Sequence, residues 1–309
     1  MSKIVVTGVA GFIGYETAKQ LLADGHKVTG IDNFDETLNT SQIRRNKIKN
    51  FRDPLFNFIE CNLLNFDYSK ILSDTDAIYH FAATPGLTTS WTNFDRYNDN
   101  NILVSFRLAE AIQRFAPNCK IILASTSSVY GNLAVGDENI PIKPISPYGI
   151  TKYASEQIFE TLLRETGHEL YILRLFSVFG PNQREDMAWQ KIIRATLTGN
   201  EFPLTAQPNH VRSCTYVKDI AEFCSSLLNI QGRPGTYNIC GDEEVNIIEG
   251  IKLIEKIMGR GLNVIESPAR RGDQIQTLGD SRLAKEHLGF QPSTNFELGI
   301  RAQIRAVVD

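Results

Sequence analysis

The chain has little to cross-link it, little net charge and no long apolar run. Its five cysteines, Cys61, Cys119, Cys214, Cys224 and Cys240, are odd in number, widely spread and free of any CxxC or His-rich spacing. That pattern argues against a disulfide framework and a thiolate metal site, so no metal is expected and a reducing compartment is. A formal net charge of -3 over 309 residues offers no broad positive field. Nucleic acid and anionic membrane are therefore excluded as expected partners, and any phosphate must be held locally. The run LYILRLFSVFG is interrupted by Arg174 and too short to span a bilayer, and MSKIVVTG has no apolar leader core. A cytoplasmic protein is the expectation. Internal repeats, low-complexity tracts and long charge runs are also missing.

What is present is the composition of a folded protein, 42% hydrophobic and 22% charged, in a chain long enough for two domains. Short β-branched runs (KIVVTG, HKVTGID, FNFIEC, DAIYHFAA, KIILAS, ELYILRLF) alternate with amphipathic stretches such as GYETAKQLLADG and NILVSFRLAEAIQRF. That alternation predicts an α/β fold with a doubly wound parallel sheet covered on both faces. Beyond about residue 175 the helical patterns MAWQKIIRATLTG, VKDIAEFCSSLLN and NIIEGIKLIEKIMG are separated by Pro- and Gly-containing loops, which predicts a smaller, interleaved carboxy-terminal lobe.

Gly8, Gly11 and Gly14 in TGVAGFIG follow the first strand and open a helix. Such a loop lets backbone amides and the helix amino terminus approach a pyrophosphate. The spacing is GxxGxxG and a plain structural turn competes with it, so the following acid matters. Asp32 ends the next strand, where a carboxylate can accept both ribose hydroxyls and would repel a 2′-phosphate, which favours NAD over NADP.

In SPYGITKYASE, Tyr148 and Lys152 lie one helical turn apart. A free phenol, with a pKa of about 10, is a poor base. A nearby ammonium shifts it toward phenolate. Spacing alone fits an exposed helix equally well. The strand end KIILASTSS adds Ser125, Thr126, Ser127 and Ser128 at the edge where open α/β sheets bind ligands.

TGVAGFIG, Asp32, HFAA, STSSVYG and YGITK, in this order over nearly the whole chain, resemble the extended short-chain dehydrogenase/reductase family of NAD-dependent nucleotide-sugar epimerases and dehydratases. The resemblance implies a Rossmann-type NAD unit over 1–175, a segment about 215–240 returning to it, and a nucleotide-sugar lobe over 176–309. It implies that Tyr148 and Lys152 are the catalytic pair and that Thr126 assists at the sugar 4-OH. NAD is expected against Gly8, Gly11, Phe12, Ile13, Gly14, Asp32, Asn33, Asn62, Leu63, Phe81, Ala82, Ala83 and Asn101, with Tyr148 and Lys152. After Asn101 the family's usual Gly-Thr is Val104-Ser105 here.

Dehydratases of the family carry Asp-Glu where this chain has Ser127-Ser128, and decarboxylases carry Glu at Ser128. The resemblance therefore implies 4-epimerisation of a UDP-sugar through a 4-keto intermediate, with dehydration or decarboxylation as the lesser alternative. Joint presence of Thr126, Tyr148 and Lys152 counts against a non-catalytic NAD-binding regulator. Arg212 in HVRSCTYVKD and Arg270 and Asp273 in ARRGDQ match the family's diphosphate and ribose contacts. Ser177 and Arg184 resemble UDP-glucuronic acid 4-epimerases, whereas Thr88 stands where that group commonly has arginine. UDP-glucuronate/UDP-galacturonate and UDP-glucose/UDP-galactose, or an N-acetylhexosamine, stay open as substrates. A homodimer is also implied, paired through the helices after Asn100 and Ser146, which carry Ile102, Phe106, Ala109, Ile158, Phe159 and Leu162; much of that face could equally be core.

Overall fold

The computed structural model describes residues 1–35, 41–205, 210–269 and 271–308. Strands and helices alternate first: β1 (Lys3–Thr7), α1 (Phe12–Ala23), β2 (Lys27–Asp32), α2 (Ser41–Lys49), β3 (Phe56–Glu60), α3 (Ser69–Leu72) and β4 (Ala77–His80). Next come α4 (Phe94–Tyr97), a π-helical stretch Asn98–Leu103 leading into α5 (Val104–Phe115), β5 (Lys120–Thr126), β6 (Leu133–Gly136), α6 (Pro147–Leu163) and β7 (Leu170–Leu175). The remainder is β8 (Ser177–Phe179), α7 (Ala188–Thr198), β9 (Glu201–Leu204), β10 (Val211–Tyr216), α8 (Val217–Ser226), β11 (Gly235–Ile239) and β12 (Glu244–Asn246). It closes with α9 (Ile247–Met258), β13 (Asn263–Glu266), β14 (Gln276–Gly279), α10 (Arg282–Leu288) and α11 (Phe296–Val308).

Among these residues, seven parallel strands form the main sheet in the order β11-β7-β5-β4-β1-β2-β3. The order reverses between β1 and β4. Ligands of such sheets bind in the crevice outside the carboxyl ends at that reversal, and the glycine loop after β1 and HFAA after β4 border it. Val6, Tyr79 and Ile122 face one apolar layer; Val5, Ile78 and Ile121 face the other. That two-sided burial is why these strands read as continuous apolar runs.

A second sheet runs β12-β10-β14-β6, with β8 beside β10. It is parallel except for β12 against β10. The first half of the chain thus supplies an edge of this sheet through β6, while α8 packs on α1 and β11 extends the main sheet. A separate core around Trp189, Ile192, Ile193, Ile254, Phe296 and Ile300 holds α7, α9 and α11 together.

Two departures from the sequence pattern have local causes. The helix expected through NILVSF carries a π-helical stretch at its start, where the Asn101 side chain receives the Thr84 amide at 2.7 Å and donates to the Thr84 carbonyl and Thr151 Oγ1. Such insertions mark places where a side chain must be re-aimed. Ala109 and Phe159, taken with the apolar face of the two helices, are fully buried, whereas Phe106 is 45% exposed. Among the described residues, no helix is long and apolar enough to cross a membrane.

Candidate active site

The glycine loop owes its shape to close backbone approach. Gly8 has φ +69°, and a Cβ there would come within 2.7 Å of the Ala82 amide nitrogen. A Cβ on Gly14 would lie 2.3 Å from the Gly8 carbonyl oxygen. Only glycine allows α1 to start this close to β1 and to the HFAA strand end. Phe12 and Ile13 continue the first turn of α1, half-buried against the core.

Asp32 is buried, and its two oxygens receive the amides of Ala10 at 3.1 Å and Phe34 at 2.8 Å. Burial raises its carboxyl above the ordinary value, opposed by Arg44, 3.6 Å away, and by those amides. A cleft of about 600 Å3 opens beside it, lined by Asn33, Phe34, Asp35, Arg45, Glu60, Cys61 and Asn62. Asn62 caps a short turn by accepting the Leu64 amide, and Leu63 turns into the core beneath. Glycine cradle, cleft and carboxylate at one sheet edge fit an adenine dinucleotide: the loop for its phosphates, Asp32 for a ribose diol. Across the reversal, Phe81, Ala82 and Ala83 follow β4, with the Ala82 amide donating to Thr7 Oγ1 at 3.3 Å.

Helix α6 begins where its local chemistry dictates. Ser146 Oγ accepts the Gly149 amide at 3.1 Å, and Pro147 fills the first turn, where its missing amide costs nothing. Tyr148 sits in that turn and Lys152 one turn on, only 4% exposed. Thr151 Oγ1 donates to the Tyr148 carbonyl at 2.9 Å and receives Asn101 Nδ2 at 3.0 Å, so Asn101 braces the turn carrying the phenol. Ser105, where the family usually has threonine, donates to the Asn101 carbonyl and meets Ser155 Oγ at 2.7 Å across α5 and α6.

The four hydroxyls of STSS are not equivalent. Ser125 donates to the Glu156 carboxylate, away from the sheet edge. Thr126 caps the turn that follows, accepts the Ser128 amide at 3.1 Å, and its hydroxyl favours the ionised form of the Tyr148 phenol. Burial raises the Tyr148 pKa; the Arg184 guanidinium and the Thr126 hydrogen bond oppose it. Arg184, which the family resemblance placed near the sugar, is thus a cation whose charge reaches the phenol. Burial also lowers Lys152 to about 8, while the charge of Glu156 works to raise it.

The sugar-side loop is tied down by Tyr97, whose hydroxyl donates to the carbonyls of Pro85 at 3.0 Å and Gly86 at 2.8 Å and whose ring meets Tyr148 edge-on at 6.3 Å. Thr88 is exposed on this loop. Arg271 stacks 3.6 Å from the Trp91 ring, linking it to the loop bearing Asp273. Arg270 lies outside the described residues. Gln274, buried, donates to the carbonyls of Ser127 at 3.2 Å and Gly131 at 2.6 Å, and Ser128 Oγ reaches it at 3.5 Å.

Arg212 is oriented by carbonyls rather than left extended: it donates to Ile275 at 2.7 Å and to Gln274. Burial lowers its pKa, and the nearby Asp273 works to raise it. Ser177 starts β8, half-buried, in register with Cys214. Arg184 pairs with Asp186 through two nitrogens. Tyr97, Gln274 and Asn101's partner Thr151 escaped the sequence reading, because each acts through contacts distant in the chain. Only Gln274 carried a signal, its adjacency to ARRGD.

Residues 5–303 match the family model described as GDP-mannose 4,6 dehydratase. Over 313 residues the chain is 36% identical to an uncharacterized UDP-glucose epimerase, YtcB, of Bacillus subtilis (strain 168), covering 98% of this chain and 96% of that one. It superposes on the UDP-glucuronic acid 4-epimerase of Bacillus cereus in complex with UDP-glucuronic acid and NAD with a TM-score of 0.94, at 32% identity over 99% of both chains. MoeE5 in complex with UDP-glucose and NAD gives a TM-score of 0.88 at 29% identity, over 99% of this chain and 98% of that one.

Proposed function

The chain belongs to the extended short-chain dehydrogenase/reductase family of NAD-dependent nucleotide-sugar epimerases and dehydratases, and from that membership we propose that it interconverts the C4 epimers of a UDP-sugar, UDP-glucuronate and UDP-galacturonate. The observation that carries this reading is Tyr148 in the first turn of α6 with buried Lys152 one turn on, packed against the strand end whose Ser127 and Ser128 offer no carboxylate. Bound NAD supplies the hydride acceptor for C4 and returns the hydride to the sugar. Everything else falls to the chain's own residues.

Tyr148 accepts the 4-OH proton and later gives it back, Thr126 orients that hydroxyl, and Lys152 supplies positive charge that favours phenolate. Ser127 and Ser128 offer no carboxylate, so nothing beside C4 is equipped to expel water, and the keto sugar's remaining course is hydride return to its other face. Arg212 and Arg270 serve the diphosphate, and Asp273 serves the ribose of the nucleotide. Arg184, adjacent to Tyr148, is the cation suited to a C6 carboxylate, and Ser177 lies on the same lobe. We take 1–175 with 215–240 as the NAD unit and 176–309 as the sugar lobe.

A second reading, UDP-glucose/UDP-galactose, is favoured by two specific features: Thr88 supplies no charge, and Arg184 is already paired with Asp186. Purified protein incubated separately with UDP-glucuronate, UDP-glucose, UDP-N-acetylglucosamine and dTDP-glucose, followed by NMR, tests both. Formation of UDP-galacturonate is expected; release of CO2 or loss of water would overturn epimerisation, and turnover of UDP-glucose alone would select the second reading. A homodimer through α5 and α6 is part of the proposal, since Leu103, Phe106 and Ile150 remain 41, 45 and 50% exposed there. Light scattering of Phe106→Asp should then report a monomer.

A further inference from the structure

Beneath the catalytic helix lies an ion pair that the proposed chemistry does not use. Glu156 has no exposed surface and Arg174 has little. Arg174 Nη2 donates to Glu156 Oε2 at 2.7 Å and Nε to Oε1 at 3.1 Å, and Ser125 adds a third donor. Arg174 Nη1 also donates to the Tyr130 hydroxyl at 3.0 Å, and Tyr130 donates onward to Asn238 at 2.7 Å. Burying two charges costs more than filling the same space with apolar side chains unless the hydrogen bonding is nearly complete. Here it is nearly complete, on a helix face where Tyr148, Lys152 and Glu156 follow one another at successive turns.

We propose that Glu156 is a positioning residue: clamped by Arg174 and Ser125, its carboxylate stands one turn behind Lys152 and keeps that lysine charged, as the Tyr148 phenolate requires. This rests on the assignment of Tyr148 and Lys152 as the reacting pair. Lys152 faces Tyr148 and Glu156 on α6 and His80 at the end of β4. His80 is buried, held neutral by burial and by the lysine's own charge, with its pKa lowered to about 3. Glu156 faces Ser125 on β5, Arg174 on β7 and Tyr130 after β5; Glu138 closes the far end by accepting the Asn238 amide at 2.6 Å. Glu156 is thus the acid whose charge opposes the burial that lowers Lys152 to about 8. Arg174 fixes the carboxylate and also explains why LYILRLF, otherwise apolar, tolerates an arginine.

Lysine labelled at Cε with a stable carbon isotope tests this by NMR, with the Lys152 signal assigned by its absence in Lys152→Arg. In Glu156→Gln the Lys152 midpoint should fall by about one pH unit or more, and the limb of kcat that reports lysine deprotonation should move down with it. Glu156→Gln also strands Arg174, so the double variant Glu156→Gln/Arg174→Met is the control for folding. It should recover most of the lost thermal midpoint yet keep the lowered Lys152 midpoint. A native Lys152 midpoint in the double variant would overturn the proposal and leave the pair as a brace only. Because the titration is read without turnover, its outcome is independent of whether Tyr148→Phe abolishes activity, which tests the catalytic assignment itself.

Discussion

Arg184 holds Asp186 through two nitrogens, at 2.9 and 2.8 Å from the two carboxylate oxygens, while its charge reaches the Tyr148 phenol. Burial would raise the Asp186 carboxyl, but the bonds and charge of Arg184 keep it below the ordinary value. One guanidinium is thus shared between an acid of its own loop and the Tyr148 phenol. A uronate would have to compete with Asp186 for it.

That sharing makes Arg184→Met informative. Loss of a hydrogen-bonded charge costs about 1.5–3 kcal/mol, or roughly 10- to 100-fold. If Arg184 meets the sugar carboxylate, kcat/KM for UDP-glucuronate should fall by that factor and the value for UDP-glucose by much less. Equal losses for both sugars would show that it works only through Tyr148.

Tyr148→Phe removes the proton acceptor and leaves the ring in place. The expected result is a loss in kcat of about 10²- to 10⁴-fold with little change in KM, measured by NMR-detected epimerisation. Unchanged turnover of every nucleotide sugar would remove Tyr148 from the mechanism.

Lys152 is costly to hold charged in the fold. Its folded pKa, about 8, lies below the ordinary lysine value of 10.5. Between those values the unfolded chain binds the extra proton, so stability rises with pH across that window and is lost as pH falls through the folded pKa. Lys152→Met has no such dependence. At pH 7 the variant should gain on the native protein by up to about 3 kcal/mol, and the gap should close toward pH 10. Denaturant unfolding at several pH values would reveal it; a gap that does not vary with pH would contradict the lowered pKa.

Gly14→Ala places a methyl group 2.3 Å from the Gly8 carbonyl oxygen. The start of α1 must then retreat from the loop, at about 1–3 kcal/mol. NAD affinity, measured by calorimetry, should fall roughly tenfold or more, while an alanine at Gly261, where a Cβ meets only Glu255 Oε1 at 3.8 Å, should leave affinity intact.

Much of the cofactor half was legible because its determinants are local. Glycines at the strand-to-helix turn, Asp32 at the next strand end, and Ser146-Pro147 as cap and first turn each act within a few residues. The sugar half was less so. Tyr97 fastens the Pro85–Gly86 turn, Gln274 fastens STSS, and Arg271 lies on Trp91, all through contacts between distant segments.

The sequence by itself determined the alternating strands, the glycine turn and the start of α6, because backbone sterics, side-chain caps and two-sided burial are written in neighbouring residues. Only the tertiary structure decided which hydroxyl of STSS serves the phenol. Ser125 is taken up by Glu156, whereas Thr126, the last residue of β5, lies toward the first turn of α6 that carries Tyr148. It likewise decided that β6 joins β14 and that Arg174, an apparent interruption of an apolar strand, is the partner of Glu156. Charge pairing and sheet registry depend on which distant segments fold together.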